Sequence, residues 1–212
     1  MKRGENMEYI TIEGESSISF TEKRSEFIGH IAHVETAEEA IAFIEKIRSE
    51  NRKATHNVYA YVIRDGHQSR YSDDGEPQGT AGVPVLNVLN KEDLTDVCCV
   101  VTRYFGGILL GGGGLVRAYS HSAAIVTESA KKVIMCRSKE ITLTADYDLY
   151  GKITSIIPEF EVKINNTEFG ADVKISVFIK TEKIRKFKEK LIDATNGRIE
   201  FVESDEEYRN FA

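Results

Sequence analysis

The residues with chemistry to offer are concentrated between Arg70 and Tyr119, where two glycine-rich segments bracket one apolar run. The first reads Arg70-Tyr-Ser-Asp-Asp-Gly-Glu-Pro-Gln-Gly-Thr-Ala-Gly-Val-Pro84, and the second reads Val100-Val-Thr-Arg-Tyr-Phe-Gly-Gly-Ile-Leu-Leu-Gly-Gly-Gly-Gly-Leu-Val-Arg-Ala-Tyr119. Nine of the sixteen glycines fall in this window. A glycine held in one conformation loses about 0.5–1 kcal/mol more than alanine, so a cluster of them answers a demand for positive φ or for close backbone approach. Two readings meet that demand: tight turns at a sheet edge, or a concave backbone surface that meets a ligand. The helix predicted after the quartet Gly111–Gly114 gives the second reading its physical basis. Leu115, Ala118, Tyr119, Ser122, Ala123 and Val126 share one helical face, with Arg117, Ser120, His121 and Glu128 opposite. Glycines running into a helix N-terminus leave N–H groups pointing outward at the positive end of the dipole, which is a site for an anion. The expected anion- or RNA-binding set is Gly112, Gly113 and Gly114 with Arg103, Arg117 and His121. Arg117 and His121, one turn apart, reach the same phosphate.

Named phosphate motifs do not fit. No lysine follows these glycines until Lys131, which excludes a P-loop, and Val116 stands where a dinucleotide fingerprint needs its third glycine. In the first segment Asp73, Asp74 and Glu76 put three carboxylates into four positions around a Gly-Glu-Pro turn. They read as turn chemistry, as a magnesium site or as an acid/base pair. With Tyr104 they also form a candidate partner surface, and Tyr104-Phe105 and Tyr71 read either as core aromatics or as docking groups for a peptide. The enzymatic alternative is a nucleotide- or phosphate-binding protein using the Gly111–Gly114 loop with magnesium on Asp73, Asp74 or Glu76. No nucleophile pairs with a base by spacing: Ser120 and His121 are adjacent and point roughly 100° apart on a helix. No catalytic residue, metal or cofactor is therefore expected. His30 and His33 lack a third ligand nearby and read as strand residues. Cys98, Cys99 and Cys136 form neither a disulfide framework nor a zinc site, and read as small buried hydrophobes.

The elements that must hold these residues emerge from periodicity. Tyr9–Glu13, Ser17–Thr21 and Phe27–Val34 alternate as strands. Thr36-Ala-Glu-Glu39 is a capping box ahead of a helix over 37–50 with an apolar stripe of Ala40, Ile41, Ile44 and Ile47. Val58–Ile63 is a strand that turns at Asp65-Gly66 into Gln68–Ser72. A short helix follows Pro84, and Asp96–Arg103 is a central strand, apolar on both faces from Val97 to Val101. Beyond the Leu115 helix, Lys131–Ser138 reads as a connector. The pattern then restarts as a strand over 140–147, a helix over 149–157, and strands over 160–165 and 171–180 joined across Asn165-Asn166. A helix over 182–194 closes at Asn196-Gly197 and a last strand spans 198–202. This βαββαβ order is the ferredoxin-like arrangement, giving an α+β protein of two domains, 1–136 and 137–212. The outer face of the 182–194 helix carries Lys183, Arg185, Lys186, Lys188 and Lys190, which read as a solvated face or as contacts to an RNA backbone.

Composition bounds the function. The 212 residues are 41% apolar and 29% charged with net charge −6, ordinary for a soluble protein and unlike one that coats nucleic acid with its whole surface. No apolar run spans a bilayer and Met1–Asn6 lacks a signal-peptide core, so a cytoplasmic protein with no membrane partner is expected.

Three stretches carry a likeness to known proteins: Ala54-Thr-His-Asn-Val-Tyr-Ala-Tyr61, Tyr71–Pro84 and Val101–Tyr119, with Lys23-Arg-Ser-Glu-Phe-Ile28 ahead of them. In these the chain resembles bacterial two-domain members of the IMPACT family, over essentially its whole length. The resemblance implies an N-terminal α+β domain like the second domain of ribosomal small-subunit protein five and a C-terminal domain similar to one of elongation factor G. Eukaryotic relatives regulate translation by competing for the activator of a starvation-responsive initiation-factor kinase. For this chain the resemblance implies regulation of translation or of a stress response by binding RNA, the ribosome or a translation-associated protein, without an established active site.

Overall fold

The computed structural model describes residues 8–211; the Met1–Asn6 segment read for a signal peptide lies outside them. The chain forms two compact units, residues 9–133 and residues 134–212 with the first eight. The N-terminal unit runs β1 (Glu8–Ile12), β2 (Glu15–Glu22), β3 (Ser25–His33), α1 (Ala37–Glu50), β4 (His56–Ile63), β5 (Gln68–Ser72), α2 (Gly82–Lys91), β6 (Val97–Tyr104) and α3 (Gly112–Ser129). Its antiparallel sheet has the order β2-β3-β6-β4-β5. Central β6 is buried on both faces because each face has its own cover. Val97, Cys99 and Val101 pack with Val85 and Leu89 of α2 and with Leu115, Ala118, Tyr119, Ala123 and Val126 of α3. Cys98 and Val100 pack with Ala40, Phe43, Ile44 and Ile47 of α1. The three cysteines are free and buried, and burial pushes the Cys98 and Cys99 thiols up, Cys99 to about 12, so both are inert.

The capping box is half formed. Thr36 Oγ1 accepts from Glu39 N at 3.1 Å, but the Glu39 carboxylate reaches Glu35 N at 2.7 Å, one residue upstream of the cap. Ile41 is 54% exposed and Phe43 takes its place in the α1 stripe. A Cβ on Gly29 of β3 would lie 2.9 Å from Ser122 O, so glycine there lets α3 lie close against the sheet.

The C-terminal unit continues β7 (Lys132–Ala145), α4 (Tyr150–Ile156), β8 (Lys163–Phe169), β9 (Val173–Lys180), α5 (Ile184–Thr195), β10 (Glu200–Glu203) and β11 (Glu207–Asn210). The sheet runs β10-β7-β9-β8, all antiparallel, with β11 continuing the line of β10 along β7. Ile153, Ile156, Phe187 and Leu191 of the helices pack on Ile141, Leu143, Ile175 and Val177. Asn196 in the left-handed region closes α5, and Gly197 N donates to Ile192 O at 2.9 Å. Three expectations change here. The stretch over 131–138 is the first half of β7, its partner being β11. The β8–β9 hairpin turns at Gly170–Asp172, with Asn165 in a bulge. The terminal acids do not trail a last strand; they flank β11, where Glu206 pairs with Arg137 and accepts from Thr181 Oγ1 at 2.7 Å.

Candidate functional site

The first glycine segment is tied down by its own acids. Asp73 accepts from the amides of Gly79 at 2.8 Å, Ala81 at 3.1 Å and Gly82 at 2.8 Å, which closes the loop onto the start of α2. Asp74 accepts from Arg48 Nη2 at 2.9 Å and from Asn57 N at 2.6 Å. Glu76, 9% exposed, accepts from Arg103 Nη1 at 2.5 Å and Tyr119 Oη at 2.7 Å. Burial, then the Glu76 charge, pushes the Tyr119 phenol up, so it stays a donor. His56 completes the cluster. Its Nδ1 lies 2.8 Å from the Asp74 carbonyl, which can only accept, so Nδ1 carries the proton and Nε2 faces Glu76 Oε1 at 3.7 Å.

These contacts correct several expectations. Asp73, Asp74 and Glu76 neither present a partner surface nor stand ready for magnesium, because each is already bonded inside the unit; no metal-holding group of His, Cys, Asp or Glu occurs among the described residues. Arg103 is 5% exposed and paired with Glu76, so it cannot reach an external anion. Its second amino group donates to Ser25 Oγ at 3.4 Å, and its guanidinium lies 5.4 Å from the Phe27 ring and 5.3 Å from the Phe105 ring. Tyr104 is half-buried and donates to Asn51 Oδ1 at 2.9 Å.

The second segment is different. Ser25 Oγ accepts from Gly106 N at 3.2 Å, and a Cβ on Gly106 would stand 2.0 Å from Arg24 O; only glycine fits that crossing. Phe105, Ile108, Leu109 and Val116 are exposed, Leu109 by 82%. Gly111 takes φ +70° and no side chain caps α3. Gly112 and Gly113 are exposed, and neither needs to be glycine for packing: their nearest neighbours to an added Cβ are Thr80 Cγ2 at 3.9 Å and Arg117 Nη1 at 3.7 Å. Glycine in a helix costs up to about 1 kcal/mol against alanine, so a bare backbone is retained here where the fold does not demand it. Arg117 and His121 are exposed, one turn apart. Arg117 makes no ion pair among the described residues, and His121 packs edge-on against Phe20 with ring centroids 4.8 Å apart. The locked loop puts Thr80 beside Gly112, so the first segment walls the start of α3.

On α5, Lys183 pairs with Glu161 at 2.6 Å, Lys188 with Glu203 at 2.9 Å, and Lys190 with Glu159. The basic face is thereby largely neutralised, a correction to its reading as a phosphate surface; Arg185 and Lys186 are exposed and make no ion pair among the described residues. Ser25, His56 and Tyr119 were missed as members of the Glu76 cluster. The signal for two of them is the family motifs themselves, which contain Ser25 and His56.

Comparison with known proteins gives the same division. Residues 23–127 match the Impact N-terminal domain family, and residues 143–198 match a domain of unknown function (DUF1949). IMPACT family member YvyE of Bacillus subtilis is 38% identical over 204 residues, covering 94% of this chain and 93% of that protein. IMPACT family member YigZ of Escherichia coli is 36% identical over 190 residues, covering 87% and 92%. A solved structure titled as a crystal structure of an hypothetical protein is 33% identical with a TM-score of 0.62, covering 95% of this chain and 99% of that one.

Proposed function

This chain belongs to the IMPACT family, and from that premise we propose that it is a non-catalytic, cytoplasmic regulator of translation or of a stress response that docks on ribosome-associated RNA through the start of α3. The observation that carries this reading is the uncapped first turn at Gly112–Gly114 with Arg117 beside it and no internal acid on that arginine. Exposed amides at the positive end of a helix dipole, with one mobile guanidinium, bind a phosphate oxygen. Phe105, exposed next to that turn, offers a ring for an unpaired base, which stacks on aromatic side chains in single-stranded RNA. A net charge of −6 is compatible with this because the contact is local.

In the same reading, residues 1–136 form a domain like the second domain of ribosomal small-subunit protein five. Residues 137–212 form a ferredoxin-like domain similar to one of elongation factor G, supported by the sheet order β10-β7-β9-β8. No helix among the described residues is long and apolar enough to cross a membrane. The enzymatic alternative loses its support, since the carboxylates that would hold magnesium are bonded inside the unit.

The test is sedimentation of the full chain with ribosomes at low salt, with and without ribonuclease. The expected result is co-sedimentation that weakens as salt rises and is lost on nuclease treatment. Capture of a protein partner that survives nuclease would overturn the RNA assignment.

A further inference from the structure

The C-terminal unit has a cleft that the α3 site does not use. Along β9, Val173, Ile175, Val177 and Ile179 are buried on the helix side, which sends Lys174, Ser176, Phe178 and Lys180 to the other face of the sheet. There β11 and the residue after it close a cleft of about 410 Å³ against β8 and β9, lined by Lys163, Phe178, Tyr208, Arg209 and Phe211 among others. That is within the size range of small-molecule sites. Its floor is unusual for a surface. The Arg209 guanidinium carbon lies 3.6 Å from the centroid of the Phe178 ring, and Arg209 Nε donates to Glu207 Oε1 at 2.5 Å, which holds the group in place. Opposite Phe178 in the ladder stands Lys163, its ammonium 3.3 Å from the Asn210 carbonyl.

We propose that this cleft receives one unpaired base of single-stranded RNA, stacked on the Arg209–Phe178 pair, with Lys163 on the adjoining phosphate. The ligand class rests on the RNA reading above; the location does not. A guanidinium plane and an aromatic ring both stack on nucleobases, and they do so with little regard to sequence because every base has a π-face. The Glu207 carboxylate in the lining is engaged by Arg209 Nε, so it serves to orient the platform. The charge that remains for the ligand is the Lys163 ammonium and the delocalised cation of Arg209. Arginine is required over lysine, because an ammonium is a hydrated point charge with no plane to stack on.

Full-length protein is titrated with two fluorescent oligonucleotides of equal length, an oligouridine and the same backbone with abasic residues, for wild type, Arg209→Lys and Arg117→Ala. The expected result is that wild type prefers the uridine strand by about 5- to 150-fold per stacked base. Arg209→Lys should remove most of that preference while leaving abasic affinity unchanged, and Arg117→Ala should weaken both strands alike. If Arg209→Lys changes nothing while Arg117→Ala weakens binding, the cleft is overturned and the α3 reading stands. If Arg209→Lys alone has an effect, the cleft stands without the α3 site. Equal wild-type affinity for the two strands overturns base stacking altogether.

Discussion

The two glycine-rich segments of the N-terminal unit look alike in composition and do opposite things. In Arg70–Pro84 every acid turns inward, onto amides, Arg48, Arg103 or Tyr119. In Val100–Tyr119 the glycines beyond the buried strand end in an uncapped helix and an exposed apolar loop. A glycine-rich turn that carries its own carboxylates completes its hydrogen bonds and becomes structure. One that carries none leaves amides over, and those are what a partner can use.

The sharpest way to break this contrast is to attack the closed half. Replacing Glu76 by alanine leaves the Arg103 cation buried beside an emptied acceptor, and removing one partner of a buried pair costs about 3–5 kcal/mol. The expected readout is a lower denaturant midpoint at unchanged m-value. A loss under about 1 kcal/mol would mean that the cluster is not what holds the loop.

Next comes the crossing at Gly106. Gly106→Ala puts a methyl group 2.0 Å from the Arg24 carbonyl, an overpacking expected to cost roughly 1–3 kcal/mol in thermal or chemical unfolding. In the open half the sign reverses. Gly113→Ala has room for its Cβ and should stabilise by roughly 0.5–1 kcal/mol while weakening RNA binding, since the methyl group stands where the partner's backbone approaches. Unchanged RNA affinity in that variant would show that the bare turn is not a contact.

The smallest effect concerns pH and lies away from both segments. Burial lowers the His30 pKa below 6.5, with Ser17 Oγ 3.0 Å from its Nδ1, and Glu15, Glu50 and Lys46 nearby. A depressed base gives stability that is complete above the unfolded value and lost as pH falls through the folded one, because the unfolded chain takes up the proton first. Stability should therefore decline as pH drops below about 6.5, and His30→Gln should flatten that decline.

Much of the molecule was legible in the sequence where a local period exists. The α3 face came directly from 3.6-residue spacing, and all six residues assigned to it are buried. Central β6 was legible as an apolar run. The illegible parts depend on partners distant in sequence. Asp74 meets Arg48 and Glu76 meets Arg103 and Tyr119, and nothing in a Gly-Glu-Pro turn names those partners, so the carboxylates looked free. The same holds on α5, where Lys188 looks solvated until Glu203 arrives from β10. Strand β11 was hidden because its segment is dominated by acids, whose pairing with Arg137 and Arg209 appears only once the chain has folded back.

The measurement that bears most directly on the open turn is the salt dependence of single-stranded RNA affinity for wild type and Arg117→Ala, monitored by fluorescence anisotropy. An open, phosphate-binding turn predicts that affinity falls with salt at a log–log slope of about −0.7 for each phosphate contact, and that losing Arg117 makes the slope shallower by about 0.7 on every sequence tested. A flat wild-type profile, or one that Arg117→Ala leaves unchanged, would contradict it.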